Sequence, residues 1–123
     1  MKAIPSNNLL ENIRSAIRTS KERLEENKQQ RKALITKISR QKLEIRTRES
    51  LISTLQNNSA PATLVELTRQ DLKKQFHVLG ELRQHMLVAE TFHAVERAGL
   101  RALHDRLDHF NAPFDPSRAT KRK

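Results

Sequence analysis

The sequence predicts an all-α fold: two long helices forming an antiparallel coiled-coil hairpin, completed by oligomerisation into a helical bundle. Three observations carry this prediction. Fourteen positions on each side of a central proline recur at alternating steps of three and four. They are Leu10, Ile13, Ile17, Ser20, Leu24, Asn27, Arg31, Leu34, Ile38, Gln41, Ile45, Arg48, Ile52 and Leu55, then Val65, Thr68, Leu72, Gln75, Leu79, Leu82, Met86, Ala89, His93, Glu96, Leu100, Leu103, Leu107 and Phe110. Such steps put each ladder on one seam of a helix. The ladders are equal in length around the break, as the arms of a hairpin would be. Finally, the apolar supply is small: 36% hydrophobic and 3% aromatic residues in 123, with no Trp or Tyr. That is enough for a thin seam between helices and too little for a thick globular core.

The elements follow in order. Residues 1–6 read as a flexible lead, with Ser6 able to cap the first turn through its side chain. Residues 7–57 hold neither Pro nor Gly and read as helix 1, ~75 Å long at about 1.5 Å per residue. Residues 58–63 read as the turn. Asn and Ser there compete with helical bonding, and Pro61 disfavours helix at the residue before it. Thr63 and Glu66 form a Thr-x-x-Glu capping box that opens helix 2 at 64. Helix 2 runs to 110 and includes Gly80, which marks a close backbone contact or a bend and costs roughly 1 kcal/mol against Ala. Residues 111–123, with two Pro and a Lys121-Arg122-Lys123 end, read as a basic disordered tail.

Folding the chain about residue 60 sets Leu10 against Phe110, Ile17 against Leu103, Leu34 against Met86, Ile38 against Leu82 and Leu55 against Val65. The same register gathers Asn27, Arg31, His93 and Glu96 at one level. A polar layer in a coiled-coil seam fixes register at some cost in stability. Arg48 falls opposite Leu72 with Asp71 beside it, and Gln41 opposite Leu79; both long side chains are expected to reach outward from the seam edge. A parallel dimer of separate helices would instead stack Arg31 on Arg31 and Arg48 on Arg48, which disfavours it.

One seam does not account for helix 2. Phe76, Val78, Leu87, Val88, Phe92 and Val95 lie off the ladder. Leu87, Val88, Phe92 and Val95 are expected on a second face, which together with Phe76 is the candidate protein interface. The competing expectation is that helix 1 covers this face with Ile35, Leu43 and Leu51.

Net charge is +10, and it is uneven. Helix 1 holds twelve Lys and Arg against six Asp and Glu, helix 2 holds seven of each, and the tail carries a net +3. Lys28, Lys32, Lys37, Arg40, Lys42 and Arg46, with Arg118, Lys121, Arg122 and Lys123 of the tail, are candidate phosphate contacts. They are spread around the helix and do not form one stripe. No aromatic residue is interleaved to stack on bases. Binding, if present, would be independent of nucleic-acid sequence.

Catalytic chemistry has no foothold in the sequence. There is no Cys, which excludes disulfides and thiolate sites. The five histidines are never three or four apart, so none pair as helical metal ligands. Two isolated glycines cannot make a phosphate loop. No enzyme activity, cofactor, metal or small-molecule substrate is therefore expected. No apolar run approaches the roughly 20 residues of a membrane span, and an intracellular protein, cytoplasmic or nuclear, is expected. The function these features point to is a structural or adaptor subunit that assembles with itself or with another helical protein. A basic nucleic-acid-binding accessory protein is the alternative.

Overall fold

The computed structural model describes residues 5–111. Two α-helices, α1 (Pro5–Asn57) and α2 (Ala62–Asn111), pack against each other as a hairpin, with no strand among the described residues. The expected boundaries shift slightly. α1 begins at Pro5, so Ser6 stands inside the helix and not ahead of it. Proline is well placed at a helix start, where its missing N–H would have had no partner. Asn111 closes α2 and does not open the tail. The rest of the lead and of the tail lies outside the described residues.

Burial follows the ladders. All fourteen positions of the first are buried or half-buried, and so are thirteen of the second. Phe110 is the exception, at 36% exposure. It is the last rung of the ladder, one residue before the end of α2. Its ring stands edge-on to His109, with centroids 6.2 Å apart. Off the ladders, only Ala16, Ala60, Asp71 and His104 are half-buried among the described residues.

The chain divides into two compact units. The first joins the start of α1, through Asn27, to the end of α2 from Phe92. Its deepest side chains are Ser20, Ile13, Asn27 and Ile17. Two of these four are polar. Ser20 Oγ donates to Glu96 Oε2 at 2.8 Å, so a buried hydroxyl and a half-buried carboxylate satisfy each other across the helices. Arg23, 59% exposed, approaches the other oxygen of Glu96 at 3.8 Å.

The second unit, Lys28–Thr91, contains the turn. Ile45, Val65, Leu79 and Ala89 are its buried apolar residues. α1 ends in a Schellman arrangement: the Ala60 amide donates to the Leu55 carbonyl at 2.9 Å and the Ser59 amide to the Gln56 carbonyl at 3.2 Å. Ser59 takes the left-handed conformation this requires, with φ 54°. Pro61 then opens α2. Its carbonyl accepts from the Leu64 amide at 3.0 Å and the Val65 amide at 3.2 Å. Thr63 is thus already one residue inside the helix, and the expected Thr63–Glu66 capping box is not the start signal. Glycine at position 80 has no atom within 4 Å of where a Cβ would stand, so it marks no close contact within the chain.

Candidate functional site

Polar side chains join the two helices across the seam within each unit. In the second unit Gln41 does not reach outward. Its Nε2 donates to the Gln75 carbonyl oxygen and to Gln75 Oε1, each at 2.8 Å. Arg48 does turn to the seam edge as expected: Nε donates to Asp71 Oδ2 and Nη1 to Glu44 Oε2. Gln75 Nε2 also approaches Asp71 Oδ1 at 3.4 Å. The hydrogen bond from Arg48 holds the Asp71 carboxyl below the usual carboxylate range. The bonds from Asp71 and Glu44 hold the Arg48 guanidinium above its ordinary value.

Of the four residues expected to set register, Asn27, His93 and Glu96 belong to the first unit and Arg31 to the second. Asn27 is 3% exposed; the other three are half-buried. A fold about residue 60 places Glu96 opposite Leu24, whereas the structure bonds it to Ser20, one helical turn away. The reason is chemical: leucine offers no donor, while the Ser20 hydroxyl does. Ser20 stood in the ladder but drew no attention as a polar partner. Among the described residues, no buried side-chain nitrogen or oxygen lacks a hydrogen-bond partner.

The candidate interface residues are all exposed. In the second unit Phe76 is 49%, Val78 40%, Leu87 58% and Val88 67% exposed. Ile35, Leu43 and Leu51, the alternative internal cover, are themselves exposed. The seam phase also sorts the residues. Val78 precedes the seam residue Leu79 and lies with Val88 on one flank, whereas Phe76 follows Gln75 and lies with Leu87 on the other. A shallow groove runs beside Leu87 and is lined by Ile38, Gly80, Arg83, Gln84, Met86 and Glu90. In the first unit Phe92 is 43% and Val95 68% exposed, both on one flank of the seam.

The candidate phosphate contacts Lys28, Lys32, Lys37, Arg40, Lys42 and Arg46 are all exposed, in the second unit. Arg118, Lys121, Arg122 and Lys123 lie outside the described residues. Among the described residues no group of three or more His, Asp or Glu could hold a metal. No helix among them is long and apolar enough to cross a membrane. Comparison with protein-family models, with curated proteins and with solved structures found no match.

Proposed function

We propose that the chain is a non-enzymatic coiled-coil subunit, structural or adaptor in role, that assembles with itself or with another helical protein through the apolar surface of α2. One observation carries this reading. Thirteen large hydrophobic side chains are exposed among the described residues, against six hydrophobic residues that are buried, and nine of the thirteen stand on α2. Scattered exposed apolar residues are ordinary, but recurrence along the flanks of one helix is how an interface is built. A helical bundle is the natural completion, because a second pair of helices would cover the flanks that a two-helix seam leaves open.

Gel filtration with light scattering tests this reading. The chain, alone or with its helical partner, is expected to assemble in a manner that tolerates salt. Val88→Glu is expected to break the assembly without loss of helicity by circular dichroism. An unchanged mass for that variant would count against the α2 surface as the contact.

The six exposed basic residues of 28–46 favour a second reading, a nucleic-acid-binding accessory protein. Its binding would depend on Lys32, Arg40 and Lys42, and would fall steeply as salt rises through loss of counterion release. Co-purifying ultraviolet absorbance removed by salt would put this reading first.

A further inference from the structure

We propose that α2 carries a second seam, made of Phe92, Val95, Gly99 and Ala102, which pairs in antiparallel sense with the same four residues of a second copy of the chain. The proposal rests on the assembly reading above and gives it one partner and one geometry. All four residues belong to the first unit and all four are exposed. Their steps are three, four and three, the spacing of a coiled-coil seam. They lie on a single flank of the ladder that packs on α1. Ala98 lies on the outer side of this strip, and no charged residue interrupts it. Asp105 and Arg106, both exposed, end the apolar run one turn further on. At Gly99 nothing stands within 4 Å of a built Cβ, so this flank is open to an incoming helix.

The order of sizes selects the occupant. The two larger side chains come first along the helix and the two smaller ones follow. A two-fold axis that pairs the strip with itself in antiparallel sense sets Phe92 against Ala102 of the second copy and Val95 against Gly99 of the second copy. The other two rungs repeat these in reverse, as an isologous contact requires. Every rung then joins one larger residue to one smaller, which keeps the layers evenly filled. A parallel pairing would stack Phe92 on Phe92 and Gly99 on Gly99, leaving a bulge at one end and a gap at the other. The strip covers about three helical turns, less than the roughly 800 Å² per partner of a standard interface, so the dimer is weak and concentration-dependent.

Sedimentation velocity over a concentration series decides the matter on the full chain and three variants. Gly99→Val sets valine against valine on both central rungs, and Val95→Gly sets glycine against glycine. Each is expected to weaken dimerisation by about tenfold or more. The double variant Val95→Gly with Gly99→Val restores one larger and one smaller residue to each rung and is expected to return close to the wild-type constant. It leaves the glycine and valine content of α2 unchanged, so the summed helix propensity is unchanged. Circular dichroism on each variant separates loss of pairing from loss of helix. A double variant no better than the single ones overturns the proposal. A dimer broken by Val88→Glu but indifferent to all three strip variants overturns it too, and leaves the assembly reading standing. A wild-type chain that is monomeric at every concentration overturns self-pairing and leaves a different helical protein as the partner.

Discussion

The Ser20–Glu96 bond is the best place to measure how much a polar rung contributes to this seam. Ser20 is 2% exposed and donates at 2.8 Å to a carboxylate whose side chain keeps 16% of its surface in contact with solvent. Hydrogen bonds to charged groups contribute about 1.5–3 kcal/mol net. Residual hydration of Glu96 favours the lower end, so Ser20→Ala is expected to cost about 1.5 kcal/mol. The ion pair from Arg23 is a weaker term. At 3.8 Å, and with the arginine 59% exposed, solvent screens it, and Arg23→Ala is expected to cost about 0.5 kcal/mol or less. Glu96→Leu removes a charge from the seam and relieves its desolvation, so it should cost less than breaking the bond from the Ser20 side. The orphaned hydroxyl can then bond to a carbonyl one turn back in α1. Urea titrations followed by far-ultraviolet circular dichroism on both single variants and the double give a cycle. The expected coupling is about 1–2 kcal/mol. A coupling near zero would show that Ser20 draws nothing from Glu96, and an Arg23→Ala cost above that of Ser20→Ala would reverse the ranking argued here.

Two further outcomes follow from the second unit. Asp71 titrates below the usual carboxylate range because of the bond from Arg48, so its contribution to stability is present above that range and is lost as pH falls through the depressed value. Acid titration of stability should therefore flatten in Arg48→Met, and an unchanged acid limb would refute the link. Ser59 holds φ at 54° in a position that glycine adopts without a Cβ clash, so Ser59→Gly should raise stability by up to about 1 kcal/mol, read as a higher urea midpoint.

The seam was legible because it is periodic. From Leu10 to Leu107 the three-and-four steps named the positions that the structure buries, including polar ones such as Ser20, Asn27 and Gln41. What could not be read was the choice among neighbours of similar chemistry. Asn57, Asn58 and Ser59 are all turn formers, and only the hydrogen bonds of the Schellman end settle that Ser59 is the left-handed residue. Thr63–Glu66 matched a start signal, but Pro61 had already opened α2, because a helix begins where a carbonyl first accepts and not where a motif ends. Polar partners were missed for a similar reason. Register arithmetic pairs positions, whereas Glu96 selects a donor and takes Ser20 one turn away. The candidate interface residues are all exposed, but reading Leu87 and Val88 as one face leaves out the turn of about 100° between adjacent residues, which sends them to opposite flanks.

The Gln41–Gln75 contact has a mechanical consequence. One amide group of α1 grips both the backbone and the side chain of a single residue of α2. An apolar layer resists sliding through the shapes of side chains that interlock across the seam. The grip on Gln75 is different, because a shift along the axis by one residue, about 1.5 Å, breaks two bonds at once. Under a shearing load the second unit should therefore hold its place like a ratchet tooth, firm until the amide lets go and then slipping in whole steps.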